Sequence, residues 1–169
     1  MSETHSRLTE AIGQEFRRRV LDDYLPKIGR CVDLLDTDQL WHKPGPSCNS
    51  VANLLLHLEG NVRQWILAGV ADQVDNRQRD SEFATRQGDT DATPAELMAR
   101  LTTTVEEAVQ IVEAMDADDY LAIRLYQTRW NETGVTAVLH VMEHFSGHAG
   151  QIYAFTKREL GLDLQFFEL

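Results

Sequence analysis

Three histidines follow one another at four-residue intervals in the segment His140-Val-Met-Glu-His144-Phe-Ser-Gly-His148. Side chains four residues apart lie on the same face of a helix, so two of these imidazoles could bind one divalent metal ion. All three cannot, because eight residues of helix advance about 12 Å. The apolar stripe that includes Val141 and Phe145 lies nearest to His148 and farthest from His140. The sequence therefore favours His144 and His148 as metal ligands and places His140 at the rim of the site.

A third candidate ligand comes from an earlier part of the chain. His57 interrupts a run of leucines at the border of another apolar helical stripe, and Asn61 and Gln64 follow it on the same side. A single histidine in such a place is more often a core residue. Three converging histidines form a polar cluster that a metal ion would satisfy, and they leave coordination positions open, as catalytic sites do.

Other catalytic arrangements fit these residues poorly. Zinc proteases of the HExxH type need a glutamate directly after the first histidine, whereas Phe145 stands there and Glu143 precedes His144. Ser146 has no nucleophile elbow around it, so we do not expect a serine hydrolase triad. Gly147, a poor helix former, indicates room for a neighbouring helix, the ion or a ligand.

The composition is typical of one soluble domain that spans residues 1–169. Hydrophobic residues make up 43% of the chain and charged residues 25%. The sequence shows neither a secretory signal nor an apolar run of membrane-spanning length, so we expect a cytoplasmic protein without a membrane partner. The net charge of −11 opposes phosphate neutralisation, so no nucleic-acid partner is expected.

Small local features are expected to be structural. Arg17-Arg18-Arg19 is predicted to be a solvated helix face rather than a basic binding patch. Cys31 and Cys48 are too few for a disulfide framework and lack metal-binding spacing, so we expect free thiols.

Four segments carry helical periodicity. They run from about Leu8 to Leu35, from Ser50 to Gly69, from Thr93 to about Met115, and from after Gly134 to Leu160. Pro26 is expected to kink the first helix or divide it. Ser50, Thr93 and Thr136 are the predicted N-caps, and Gly69 is a predicted C-cap. Four helices of this length predict an all-α four-helix bundle.

Two connections carry their own predictions. The long polar segment from Asp72 to Thr93 is expected to cover one end of the bundle. The stretch from Tyr120 to Trp130 partly alternates, which indicates a short extended segment before the last helix. Its aromatic residues, Tyr120, Tyr126 and Trp130, either line the mouth of the site or, the favoured alternative, pack in the core.

Several short motifs, taken in their order and spacing, resemble the DinB/YfiT-like metalloenzyme superfamily. They are Trp41, Pro44, Pro46 and Ser50, then Leu56-His57-Leu58, and finally His144-x-x-x-His148-x-Gly150-Gln151; Arg79-Asp80-Ser81-Glu82-Phe83 resembles one branch of the superfamily. The resemblance extends from about Leu8 to Leu160. It implies an up-down-down-up bundle that holds zinc or nickel on His57, His144 and His148.

The resemblance also implies an activity. Some members are similar to thiol S-transferases and thiol-dependent isomerases, in which a low-molecular-weight thiol binds the metal and attacks an electrophile. We expect that chemistry here, with a small-molecule substrate. The candidate substrate or supporting contacts are His140, Asn61, Gln64 and Gln151.

Two other functions stay open, as does the number of subunits. A metal-dependent hydrolase would need a general base that the sequence does not reveal, and a non-catalytic protein would bind a metal or small molecule without turnover. Members of the superfamily often look dimeric, so the resemblance leaves a homodimer among the open alternatives. Phe166 and Phe167 either belong to its interface or pack back on the bundle.

Overall fold

The computed structural model describes residues 3–166, and most of them are helical. The helices are α1 (Glu3–Phe16), α2 (Leu25–Leu34), α3 (Thr37–Trp41), α4 (Val51–Val62), α5 (Arg79–Ala84), α6 (Pro94–Ala114), α7 (Ala117–Leu121) and α8 (Gly134–Leu160). A π-helical segment, Arg17–Tyr24, joins α1 to α2, and another, Arg63–Ala68, extends α4. Strands β1 (Ile123–Tyr126) and β2 (Trp130–Thr133) form an antiparallel hairpin before α8. Within residues 3–166, no helix has the length and apolar character needed to cross a membrane.

Four long helical runs build the bundle, namely α1 with α2, α4 with its extension, α6, and α8. The first run and α6 are antiparallel. Arg17, near the middle of the first run, binds Glu113 at the end of α6, and Gly29, farther along, lies near Met98 at the beginning of α6.

The second run lies between α6 and α8. It runs parallel to α6, since Glu59 pairs with Arg100 and Gln73, beyond the end of the run, pairs with Glu107 farther along α6. It is antiparallel to α8, because His57 contacts His144 whereas the later Asn61 contacts the earlier residue His140. These directions give the up-down-down-up order, so the predicted all-α bundle is confirmed.

Apolar side chains from all four runs fill the core. They include Phe16, Ile28, Leu55, Leu58, Leu101, Val105, Phe145 and Ile152, all of which are buried. Burying a side chain of this size stabilises the fold by roughly 1.5–3 kcal/mol relative to leaving it exposed. Packing of these stripes therefore determines which faces of α4 and α8 meet, and so positions the histidines.

Pro26 does not divide the first run in two, so that alternative of the sequence prediction is wrong. Tyr24 and Leu25 keep right-handed helical dihedral angles, and the Leu25 N–H bonds to the carbonyl of Val20, five residues earlier. Because proline lacks an N–H and its ring crowds the carbonyl four residues back, the wider π-helical turn ahead of it accommodates the ring without ending the helix.

The predicted caps agree with the structure for two helices. Ser50 and Thr93 each accept a backbone N–H in a capping box. The predicted Thr136 cap of α8 is wrong: Thr133 Oγ1 accepts the Thr136 N–H at 3.2 Å, because the helix already begins at Gly134. Gly69 is the C-cap of its run, as predicted, although its conformation is right-handed helical rather than left-handed.

The two long connections between helices have the predicted character, and both contain more secondary structure than predicted. The extended stretch before α8 is the β1–β2 hairpin, which continues to Thr133. The Asp72 to Thr93 segment includes α5, and Arg77 and Glu82 from this segment reach His57. It therefore covers the end of the bundle at which the histidines lie.

The remaining local expectations have simple outcomes. Arg17, Arg18 and Arg19 form exposed ion pairs with Glu113 and Glu15, so this basic run is a solvated face. Cys31 is buried, Cys48 is exposed, and both are free thiols. The ring of Phe166 packs edge-on against Tyr153 at 4.9 Å between centroids, whereas Phe167 lies outside the described residues.

Candidate metal centre

His57 on α4 meets His144 and His148 on α8. One ring nitrogen from each histidine lies within 4.8 Å of the other two, a group that could hold a metal ion. The Nε2 atoms of His57 and His144 are 2.9 Å apart. Two nitrogens that bind a common ion at about 2.1 Å lie roughly 3–4 Å apart, so the group fits a divalent cation after small side-chain adjustments.

The outer nitrogen of His57 is held by a carboxylate. His57 Nδ1 lies 2.8 Å from Glu82 Oε2 and 3.1 Å from Arg77 Nη2. A guanidinium only donates hydrogen bonds, and a bare Nδ1 lone pair would face the carboxylate lone pairs. The proton is therefore assigned to Nδ1, which donates it to Glu82, and Nε2 is left with its lone pair towards His144.

Glu82 and Arg77 form a bidentate ion pair almost out of solvent. Arg77 Nε and Nη2 donate to the two carboxylate oxygens at 2.7 and 2.9 Å, and the side chains are 5% and 11% exposed. Burial raises the pKa of Glu82, but the hydrogen bonds and charges of Arg77 and His57 outweigh it and hold that pKa below its usual value. Glu82 is therefore ionised at neutral pH. Because the pair is buried, Arg77 and Glu82 each need the other's charge to stay buried without a large energetic cost.

His148 is oriented in a similar way by an uncharged partner. Its Nδ1 lies 3.2 Å from Gln151 Oε1, so Nδ1 donates to the amide oxygen and Nε2 keeps its lone pair. Gln151 is one turn farther along α8, where an i to i+3 pair can meet. Two of the three histidines thus present Nε2 as the free nitrogen.

His144 and His148 are expected to be neutral at neutral pH. Burial, then the neighbouring histidines and Arg77, lower the pKa of His144 to about 3. Burial also lowers the pKa of His148, although its bond to Gln151 partly offsets that effect. Metal ions bind neutral imidazole, so these side chains are in the form that coordination requires.

His140 lies beside the cluster rather than within it. Its Nε2 is 3.2 Å from Asn61 Nδ2, and its ring stacks on Trp65 with centroids 4.0 Å apart. Gln64, another predicted contact, instead supports the ion pair by accepting from Arg77 Nη1 at 2.9 Å. Asn61 and His140 are therefore in reach of a bound molecule, whereas Gln64 acts through Arg77.

Arg77, Glu82 and Phe83 were not predicted as part of the site. Phe83 packs on the His57 ring with centroids 4.6 Å apart, on the side that faces α5. Sequence patterns offer little here, because these residues lie 20 or more positions from His57 in a segment without helical periodicity. The available signal is chemical: a buried ligand histidine needs an acceptor for its outer N–H.

Gly60 leaves the space that the ion pair occupies. A methyl group built there would collide with Glu82 Oε1 and lie 2.9 Å from Arg77 Nε. We expect Gly60→Ala to displace Glu82 from His57 and to lower the free energy of unfolding by about 2 kcal/mol, as overpacking does. Urea unfolding measures this. Gly150→Ala, where a methyl group meets no atom of the described residues within 4 Å, is the control and should not destabilise the protein. Equal stability of both variants would contradict the packing described.

A cavity of about 540 Å³ opens onto the cluster. His57 and His144 lie in its wall, together with Trp65, Arg79, Arg129 and Trp130. Tyr120 and Tyr126 are buried in the core, so Trp130 is the residue of that predicted aromatic set that lines the mouth. The volume suits a small molecule.

Gly147 borders open space on the outer side of α8. Among residues 3–166, no atom lies within 4 Å of a methyl group built there, so no neighbouring helix in this part of the chain explains the glycine. The surface beside it is formed by His140, His144, His148 and Gln151. Of the alternatives predicted for Gly147, room for an ion or a ligand is the one that agrees with this geometry.

Comparison with known proteins agrees with the fold. The family model described as mycothiol-S-transferase matches residues 18–157. A DinB-like protein of Bacillus subtilis, YjoA, is similar in structure with a TM-score of 0.63 and 18% identity, over 90% of this chain and 94% of that one. A DinB-like protein of Bacillus cereus ATCC 10987 is similar with a TM-score of 0.60 and 17% identity, over 85% and 89%. No curated protein gives a significant match. The fold is that of the DinB-like proteins, and the chain belongs to the mycothiol-S-transferase family.

Proposed function

We propose that this protein is a divalent-metal-dependent transferase that joins a low-molecular-weight thiol to an electrophile. The ligands proposed for the metal, zinc or nickel, are His57, His144 and His148. The observation that carries the proposal is the convergence of three histidines at a cavity large enough for a small molecule. The family description supports a thiol as one reactant and makes mycothiol the first to test.

Some residues of the site would hold the metal ion and orient its ligands, and others would bind the reactants. A bound divalent cation would lower the pKa of a coordinated thiol, so that the nucleophilic thiolate forms at neutral pH. Glu82 and Gln151 fix the rings of His57 and His148 so that both present Nε2. His140 and Asn61 lie beside His144 in the cavity wall and are the proposed substrate contacts.

The structure also bears on the hydrolase alternative. A metal-dependent hydrolase needs a free base near the attacking water. Glu82 hydrogen-bonds to the cluster, but both of its oxygens are occupied by Arg77 and His57. Its pKa is also held below the usual value by those partners, which makes it a weak base. A second carboxylate, Glu132, lies in the wall of the cavity. A bound cation would activate water as well as a thiol, so it is the family description that favours thiol transfer.

The test is thiol consumption by zinc-loaded and nickel-loaded protein. Mycothiol, glutathione and cysteine are each mixed with monochlorobimane, and the fluorescent conjugate is followed against the uncatalysed rate. We expect conjugation that His144→Ala abolishes and that His42→Ala, which removes a histidine outside the cluster, retains. Bound metal and thiol without conjugation would favour a non-catalytic binder, and ester hydrolysis without thiol would favour a hydrolase.

A further inference from the structure

We infer that Arg79 and Arg129 form an anion-binding subsite at the mouth of the cavity. It would take a carboxylate, sulfonate or phosphate group carried by one of the two reactants. The inference deepens the proposed function and rests on it, because it names a chemical feature of the substrates of the same site.

Both arginines are held by aromatic rings rather than by carboxylates. The Arg79 guanidinium lies over Phe83 at 5.0 Å from the ring centroid, and that of Arg129 lies over Trp130 at 5.6 Å. A guanidinium stacked on a ring keeps its N–H groups in its own plane, so its edge remains available for a bidentate oxyanion. Each side chain is therefore positioned while its donors stay free.

The absence of an acidic partner sets these two arginines apart from those that serve structure. Arg17, Arg77 and Arg100 each bind a glutamate at 2.6 to 2.8 Å. Within residues 3–166, no carboxylate forms an ion pair with Arg79 or Arg129. With 27 acidic residues in the chain, two unpaired arginines at one cavity are well placed for a ligand's charge.

The charge of the cavity is opposite to that of the whole chain. Its charged lining residues are Arg77, Arg79, Arg129 and Glu132. Arg77 is neutralised by its own partner Glu82, which leaves two positive charges against one negative charge. The chain as a whole carries a net charge of −11, so an anionic molecule is repelled from most of the surface and attracted to this opening.

The same cavity reaches the histidine cluster. His57 and His144 line it together with Arg79 and Arg129, so one bound molecule can contact the subsite and place a sulfur atom or an electrophilic carbon near the cluster. The volume of about 540 Å³ accommodates both reactants only if they are small. The subsite would therefore orient the reactant as well as attract it.

Three stable thioethers test the subsite by equilibrium binding. The first joins N-acetylcysteine to 2,4-dinitrobenzene and carries its carboxylate on the thiol half. The second joins N-acetylcysteamine to 2-nitrobenzoate and carries it on the electrophile half, and the third, N-acetylcysteamine with dinitrobenzene, is neutral. Nitroaryl groups quench tryptophan fluorescence, and Trp65 and Trp130 line the cavity, so quenching gives the Kd of the full-length protein for each probe.

At least one anionic probe is expected to bind about tenfold more tightly than the neutral one, as charge-assisted hydrogen bonds allow. The double variant Arg79→Gln, Arg129→Gln should remove that preference and change the Kd of the neutral probe less than about twofold. The control Arg7→Gln, Arg158→Gln makes the same change in net charge outside the cavity and should keep the preference. The anionic probe that gains affinity identifies the half of the product that the subsite holds.

Equal affinity of the wild type for all three probes would overturn the inference. So would an equal loss of affinity for all three probes in the double variant, or a wild type that binds neither anionic probe. Repeating the titration with excess chelator separates this inference from the proposed function. Arg79 and Arg129 are not proposed ligands, so the anion preference should persist without metal. Failure of the proposed function would instead appear as missing turnover with the preference intact.

Discussion

Replacing Glu82 with alanine is expected to lower the free energy of unfolding by about 3 kcal/mol and to weaken metal binding about ten- to a hundredfold. The substitution leaves the buried Arg77 guanidinium without its counter-charge, which is the costly way to break a buried ion pair. It also removes the acceptor of His57 Nδ1–H, whose loss typically weakens a metal site to that extent. Urea unfolding and competition with a metallochromic chelator measure the two effects.

The chain supplies a control with the same bonding geometry in solvent. Glu113 accepts two hydrogen bonds from Arg17, at 2.6 and 2.8 Å, and both side chains are about one-third exposed or more. Water replaces the lost partner there, so Glu113→Ala should cause only a small fraction of the destabilisation of Glu82→Ala. Equal losses in the two variants would show that burial of the Arg77–Glu82 pair does not determine its contribution.

Gly69→Ala is expected to destabilise the protein by about 2–3 kcal/mol and to loosen the hairpin. A methyl group at this position would collide with the ring of Tyr126, which is fully buried and stacks on Trp65 at 5.0 Å between centroids. Because Tyr126 is fully buried against Trp65, relieving the overpacking requires a shift of β1 or of Trp65. Trp65 also stacks on the ring of His140, so the near-ultraviolet circular dichroism of the protein should change together with its unfolding midpoint.

Gly29→Ala makes the same substitution without the collision. Gly29 lies within α2, where the nearest atom to an added methyl group is the terminal carbon of Met98 at an ordinary 3.9 Å. Since alanine favours a helix by roughly 0.5–1 kcal/mol over glycine, this variant should be slightly more stable than wild type. If Gly69→Ala behaved in the same way, the close approach of Tyr126 to the second helical run would be refuted.

The long helices could be predicted because their signal is repeated over many residues. Apolar stripes at three- and four-residue spacing defined the runs that contain Phe16, Leu55, Leu101 and Phe145, and all four of these side chains are buried. The short helices α3, α5 and α7 have six residues or fewer, too few for a periodic pattern to develop. Packing against the bundle stabilises them, together with the capping boxes of α3 and α7.

The hairpin shows why local rules fail where tertiary contacts dominate. Its turn holds Gln127 and Thr128 at φ values of 55° and 54°, a conformation that usually calls for glycine, asparagine or aspartate. The sequence therefore carries an extended stretch without a recognisable turn. Burial of Tyr126 against Trp65 is the contact that offsets the unfavourable turn.

The candidate site likewise contains residues that could be predicted from helical spacing and residues that could not. Helical spacing on α8 favoured His144 and His148 over His140, and the structure brings the first two to His57 while His140 packs on Trp65. Arg77 and Glu82 could not be found in this way, because the segment that carries them approaches His57 through loop geometry. The position of a side chain on a regular helix can therefore be predicted from its spacing in the sequence, whereas its position in an irregular segment cannot.

Metal content measured by elemental analysis tests the central claim most directly. The samples are wild type and the variants His57→Ala, His144→Ala, His148→Ala and His140→Ala, each checked for helical content by circular dichroism. We predict nearly one equivalent of zinc or nickel in wild type, loss of that metal in the first three variants, and retention in His140→Ala. Metal absent from every sample, or lost only in His140→Ala, would contradict the three-histidine centre.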